Sequence, residues 1–208
     1  MKKYYLMAPG PTPVPSNVLL AMAQPMLHHR TPEYEALFIE VRAGLKRLVQ
    51  TSQDVIPFTS SGTGAMEAAV CNTLSAGDTV LVLRAGKFGE RWEEICRTYG
   101  VTVIPMEAPF GQTVPAPAFS EALRRHPHAK AVLMQHSESS TGVLHDVKGI
   151  AAAVGATNAI LIVDAVSSLG IADLRMDEWG VDVVVSGSQK GLMLPPGLSF
   201  CALSEKDE

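Results

Sequence analysis

A lysine in an unusual setting stands near the end of this 208-residue sequence. Lys190 lies in Val181-Asp-Val-Val-Val-Ser-Gly-Ser-Gln-Lys-Gly-Leu-Met-Leu-Pro-Pro-Gly197, among small and apolar residues with no acidic neighbour close by. Such surroundings disfavour the ammonium form and make the amine a better nucleophile and base. The commoner alternative is a lysine that carries its charge out to solvent. Ser188, two residues earlier, also admits a Ser–Lys hydrolytic pair, but no nucleophile elbow accompanies it. Asp164 ends the apolar run Ala159-Ile-Leu-Ile-Val163. A carboxylate there is costly to desolvate unless it meets a cation or donor, or caps the next turn. In Thr59-Ser-Ser-Gly-Thr-Gly-Ala-Met-Glu67, small residues let backbone amides face outward at a helix start, and Ser60, Ser61 and Thr63 add hydroxyls. That suits a phosphate, and an ordinary Ser/Gly cap suits it equally. No lysine stands in the Walker position, so this is no nucleoside-triphosphate loop. Phe88, in Arg84-Ala-Gly-Lys-Phe-Gly89, either stacks on a flat ligand or is core. His136-Ser-Glu-Ser-Ser-Thr-Gly142 either hydrogen-bonds a ligand or is a turn.

The elements around these residues give them a common place. From residue 54 onward, short apolar runs at 55–59, 79–83, 101–105, 131–135, 159–164, 181–186 and 199–203 read as strands. The stretches 62–74, 88–99, 119–126 and 147–154 read as helices between them, and the Pro/Gly-rich 105–117 as a loop. Buried strands alternating with helices form an α/β fold with a mainly parallel sheet and helices on both faces. Ligands of such sheets bind at the carboxyl ends of the strands. The five groups above follow five different strands. A phosphate cradle, a stacking ring, hydroxyl donors, a carboxylate and a lysine together suit an aromatic, phosphorylated, cationic aldehyde, pyridoxal 5′-phosphate.

Ahead of the sheet, Pro9, Pro11, Pro13 and Pro15 preclude helix or central strand, so residues 1–15 are expected to form an extended arm. Ser16 is expected to cap a helix through Ala23. Thr31 is expected to cap a second helix opened by Pro32, with Leu37, Val41, Leu45 and Leu48 on one face. A net charge of −4 with scattered basic residues argues against nucleic acid. A mean hydropathy of +0.16 without a run of ~20 apolar residues argues against a membrane span. Cys71, Cys96 and Cys201, lacking C-x-x-C pairing, suggest reduced thiols and a cytoplasmic location. His126 and His128 are expected to be exposed, and no metal is expected.

The motifs Ser61-Gly-Thr-Gly-Ala-Met-Glu67, His136-Ser-Glu-Ser-Ser-Thr-Gly-Val143, Val163-Asp-Ala-Val-Ser-Ser-Leu-Gly170 and Ser186-Gly-Ser-Gln-Lys-Gly-Leu-Met-Leu-Pro-Pro-Gly197 resemble those of class V aminotransferases of fold type I. The match is to the alanine–glyoxylate and serine–glyoxylate/serine–pyruvate group. The resemblance implies that Lys190 bonds to the cofactor aldehyde and that Asp164 partners the pyridine nitrogen. It implies that Phe88 takes the place of a ring-stacking aromatic, often Trp. Ser61, Gly62, Thr63 and Gln189 match phosphate-binding positions, Ser139 a serine near the ring hydroxyl, and Gly10 an arm bordering the substrate site. His29-Arg-Thr-Pro-Glu-Tyr34 resembles a motif near the dimer interface, and as a helix start it needs no function.

The implied reaction is ping-pong transamination between a small amino acid, alanine or serine, and a 2-oxoacid such as glyoxylate or pyruvate. Related cysteine desulfurases place His before the lysine and need a mobile Cys, whereas Gln189 precedes Lys190 here. The resemblance also implies a C-terminal small domain that supplies a carboxylate-clamping arginine, which none of Arg30, Arg84 and Arg91 matches. Residues 16–208 are thus expected to be a large domain stopping before that small domain. The expected partners are a second copy, as a homodimer, or the remainder of the protein. The alternative readings are a stand-alone cofactor-binding or interaction fragment, or another class V reaction: a lyase, or a phosphonate or ureidoglycine aminotransferase.

Overall fold

The structure, a computed structural model, describes residues 5–205. Residues 1–4 of the expected arm and 206–208 of the expected domain lie outside the described residues. The chain runs α1 (Ser16–Met22), α2 (Pro32–Val49), β1 (Val55–Thr59), α3 (Gly62–Thr73), β2 (Thr79–Arg84), α4 (Lys87–Thr98), β3 (Thr102–Glu107) and α5 (Ala116–Arg125). It continues through β4 (Ala131–Gln135), β5 (Ser137–Glu138), β6 (Val143–Leu144), α6 (Val147–Gly155), β7 (Ile160–Asp164), α7 (Met176–Trp179), β8 (Val183–Gly187) and β9 (Leu198–Leu203).

Seven strands form one sheet in the order β1-β9-β8-β7-β4-β2-β3. β9 pairs antiparallel with both β1 and β8, and the other pairings are parallel. All strands but β9 therefore run the same way, and the carboxyl ends of β1, β8, β7, β4, β2 and β3 share one edge.

Alternation along the strands sorts the core into two layers. Leu81, Leu83, Val132, Met134, Leu161 and Val163 face α2, α5, α6 and α7 through Leu45, Phe119, Ile150 and Met176. Val80, Val82, Ala131, Leu133, Ile160 and Ile162 face α3 and α4 through Met66, Val70, Trp92 and Cys96. Each fully buried Leu, Ile or Val contributes about 1.5–3 kcal/mol relative to exposure, so the central strands fix the sheet. The edge strands carry the prolines, Pro57 in β1 and Pro105 in β3, where a missing N–H breaks the fewest ladder bonds.

Several expected boundaries are corrected. Pro15, not Ser16, is the N-cap of α1, and it makes no side-chain bond. Thr31 does cap α2, accepting from the Tyr34 amide at 3.4 Å. β3 continues past Pro105 to Glu107, and α5 begins at Ala116 inside the expected loop because Pro117 suits a first helical turn. The segment after β4, read either as hydrogen-bonding a ligand or as a turn, forms a hairpin, β5–β6, and α7 is an added short helix. Among the described residues, no helix is long and apolar enough to cross a membrane.

Candidate active site

At the carboxyl edge, Ser61 adopts an extended conformation (φ −98°, ψ 169°) and its Oγ accepts from the Gly64 amide at 3.4 Å, opening α3. Ser199 Oγ donates to the Ser61 carbonyl at 3.0 Å, tying this turn to β9. Gly62 has no room for a side chain, because a Cβ would sit 2.7 Å from Cγ2 of Val166, just past β7. A Cβ on Gly187 would sit 2.9 Å from Gln189 Oε1 and 3.5 Å from the Gly62 amide nitrogen. The Gly62 amide, Gly187 and Gln189 thus converge at the N-terminus of α3. Gln189 Oε1 is buried there with no hydrogen-bond partner among the described residues. An orphaned polar atom of this kind costs about 1–3 kcal/mol, and a half-turn of the amide presents a donor instead. Thr63 Oγ1 accepts from Arg91 Nη1 at 3.0 Å, so a guanidinium from α4 reaches the same helix start.

Lys190 enters from the loop after β8. That loop is held by the N-terminal arm: the Thr12 amide donates to the Gln189 carbonyl at 3.0 Å, and Thr12 Oγ1 to the Lys190 carbonyl at 2.9 Å. Lys190 Nζ lies 5.8 Å from the Phe88 ring centroid, within cation–π range. Burial holds its ammonium form below the usual lysine range, against the opposing pull of Asp164 and Glu138. Ser188 is buried, and its hydroxyl donates to the Pro195 carbonyl at 2.6 Å, which leaves the Ser–Lys hydrolytic reading without a free nucleophile.

Asp164, at the end of β7, is buried opposite Gln135 in the sheet register. Its Oδ1 accepts from the Val166 amide at 2.8 Å. Burial pushes the carboxyl up to about 7; the Val166 bond and Lys190 oppose this, and the negative charge of Glu138 adds to it. A carboxylate so placed favours a cationic partner. His136, next along the chain, donates its amide to the Asp164 carbonyl at 2.8 Å. Its ring is buried with Nδ1 unpartnered among the described residues, and burial together with His145 lowers its pKa to about 4.

The structure therefore gathers Ser61, Gly62, Thr63 and Gln189 at one helix start. It places Gly10, Phe88 and Asp164 around Lys190. Ser139 is half-buried in the β5–β6 hairpin. Arg84 is drawn away to Glu93 and Glu107 on β3, and Arg30 is exposed on the approach to α2. Two site neighbours were given no site role from sequence. Arg91, weighed only as a carboxylate clamp and set aside, joins α3 through a tertiary contact. Glu138, fully buried, lay inside the polar run read either as hydrogen-bonding a ligand or as a turn.

The class-V aminotransferase family matches residues 4–207, and the chain belongs to that family. The soluble hydrogenase small subunit of Synechococcus sp. is 49% identical over 207 residues, 98% of this chain and 54% of that protein. Serine–glyoxylate aminotransferase of Hyphomicrobium methylovorum is 43% identical over 207 residues, 97% of this chain and 51% of that protein. Among solved structures, the subgroup IV aspartate aminotransferase of Thermus thermophilus superposes with a TM-score of 0.92 at 38% identity, over 98% of this chain and 58% of that one. The chain thus has the aminotransferase fold type I that the motifs implied, and it spans about half the length of the curated relatives it matches.

Proposed function

We propose that this chain forms the cofactor-binding domain of a pyridoxal 5′-phosphate-dependent aminotransferase. It would move an amino group from a small amino acid, alanine or serine, to a 2-oxoacid such as glyoxylate or pyruvate. One observation carries the reading: Lys190, Asp164, Phe88 and the amide-lined start of α3 meet at one sheet edge. The residues fit the cofactor, because the edge holds Gln189 Oε1, buried with no hydrogen-bond partner among the described residues, and a buried carboxylate, Asp164, that makes no salt bridge among them. When bound, pyridoxal phosphate supplies an aldehyde that takes up the donor's amine and a ring that accepts the electrons freed at the substrate Cα.

The chain's own groups divide the remaining work. Ser61, Gly62, Thr63 and Gln189 bind the phosphate, with Arg91 adding positive charge. Phe88 would stack on the ring, and Ser139 would bond near its hydroxyl. Asp164 would hold the proton on the ring nitrogen. Lys190, with its ammonium disfavoured by burial, would hold the cofactor through its amine and, when free, would serve as the base and acid that moves the substrate's Cα proton. Gly10 keeps the arm close to Lys190, where it borders the substrate. The buried Cys201 in β9 gives no support to desulfuration, which needs a mobile thiol.

Residues 1–15 act as the arm and 16–208 as the cofactor domain. The assembly is a homodimer, supported by the exposed Leu37, Ile39 and Val41 of α2 and Ile56 of β1. Cys71, Cys96 and Cys201, none of them in a disulfide among the described residues, support a cytoplasmic location. The test is a half-reaction. The cofactor-loaded protein, given alanine or serine alone, should release one equivalent of 2-oxoacid and then regain capacity on addition of glyoxylate. Release without a cofactor requirement, or none in a protein shown to hold the cofactor, contradicts the reading.

A further inference from the structure

The fully buried Glu138 of β5 sits where α4 begins. Gly86, the N-cap of α4, offers no side-chain cap. The first three amides of the helix, which no intrahelical carbonyl can reach, are taken from outside. Phe88 N donates to Glu138 Oε2 at 3.0 Å and Gly89 N to the same oxygen at 3.2 Å. Lys87 N donates to Ser140 Oγ at 3.0 Å. Glu138 Oε1 accepts from Ser140 Oγ at 2.6 Å and from Ser140 N at 3.1 Å. The first bond within the helix, from Glu90 N to the Gly86 carbonyl, follows at 3.1 Å.

All four partners of this carboxylate are donors, which an acceptor-only group satisfies and an amide cannot. The fit is tight, because a Cβ on Gly86 would fall 2.3 Å from Glu138 Cγ and 2.7 Å from Oε2. The hairpin that carries Glu138 is itself fixed, with Gly142 N on the Glu138 carbonyl at 2.8 Å and His136 N on the Asp164 carbonyl at 2.8 Å. The Asp164 carbonyl is thus joined to the Phe88 amide through the His136 hydrogen bond, the short stretch of backbone from His136 to Glu138, and the Glu138 carboxylate.

We propose that Glu138 is a positioning residue for the cofactor site: it clamps the start of α4 to the hairpin and so sets the Phe88 ring relative to Lys190 and Asp164. This rests on the functional reading above, in which Phe88 stacks on pyridoxal phosphate. The clamp differs from an ordinary helix cap in acting across the sheet edge, from the strand that follows β4 to the helix that follows β2.

The test has two arms on the full chain. In the ligand-free protein, Glu138→Gln should speed amide exchange at Phe88 and Gly89 by about tenfold or more, as loss of charge-assisted bonds implies. In the second arm, Glu138→Gln should weaken pyridoxal phosphate binding by about tenfold when Phe88 is present and by less than about twofold in a Phe88→Ala background, because coupled residues are non-additive. If Glu138→Gln does not fold, Ser140→Ala removes the outer part of the clamp, and it should loosen the Lys87 amide and show the same dependence on Phe88. Unchanged exchange overturns the clamp. Equal weakening in both backgrounds overturns positioning through Phe88. Absence of cofactor binding by the unsubstituted chain overturns the functional reading and the positioning role together, while the exchange arm still decides the clamp itself.

Discussion

Gly10 lies so close to Lys190 that a Cβ at position 10 would fall 2.3 Å from Lys190 Cδ and 3.0 Å from its Nζ. The arm and the candidate reactive amine therefore share one packing site, with Thr12 bound to the Lys190 carbonyl beside it. Gly10→Ala must push the lysine side chain or the arm aside. Because the lysine tip is flexible, the melting temperature should change little. Displacing a reacting group by about 1 Å can cost on the order of 10²-fold in rate, so bonding of pyridoxal phosphate to Lys190 should slow at least tenfold. Stopped-flow absorbance checks this, and an unchanged rate counts against the arm's role at the site.

Asp164 sets a pH dependence with a definite sign. Its carboxyl has a folded pKa of about 7 against an ordinary value of 3.8. The folded chain keeps a proton that the unfolded chain has released, so this contribution is full below about 3.8 and is lost as pH rises to about 7. His136, lowered to about 4 by burial, acts in the opposite sense between its ordinary value of 6.5 and 4. A comparison with Asp164→Asn cancels that second effect. Denaturant unfolding of the ligand-free proteins should show the Asn variant gaining on the native chain between pH 4 and pH 7, with a level difference above. The same variant should bind the cofactor more weakly at pH 8. A difference independent of pH contradicts the burial of a titrating carboxyl.

Gln189 separates stability from binding. Its Oε1 is buried and unpartnered among the described residues, so Gln189→Ala leaves no donor bereft there and removes an unsatisfied group. Thermal unfolding without ligand should be unchanged or slightly higher. Cofactor affinity, read by fluorescence titration, should fall about tenfold, the loss of one charge-assisted bond to phosphate. Destabilisation without loss of affinity would assign the side chain a purely structural part.

Much of this was legible in the sequence because β2, β4, β7 and β8 are short, apolar runs set apart by longer segments, several of them amphipathic. The five candidate loops could be placed on one edge before any coordinates, and β1, β2, β4, β7 and β8 do end there. The less legible parts depend on tertiary pairing. β9 runs antiparallel between β1 and β8, which no local pattern reveals. The β5–β6 hairpin has two-residue strands, too short for alternation to register. For that reason Glu138 stood in a polar run read either as a ligand contact or as a turn, although it meets α4 from 49 and 50 residues away along the chain. Arg91 shows the same limit, since its helix position says nothing of Thr63, 28 residues earlier.

The central claim is that Lys190 carries the cofactor. The direct measurement is to incubate the chain with pyridoxal phosphate, reduce with borohydride and map the modified peptide by mass spectrometry. The expected result is one stoichiometric adduct on Lys190, absent in Lys190→Ala, with steady-state transamination lost in that variant of any active form. A stoichiometric adduct on a different lysine, or transamination that survives Lys190→Ala, would contradict the account.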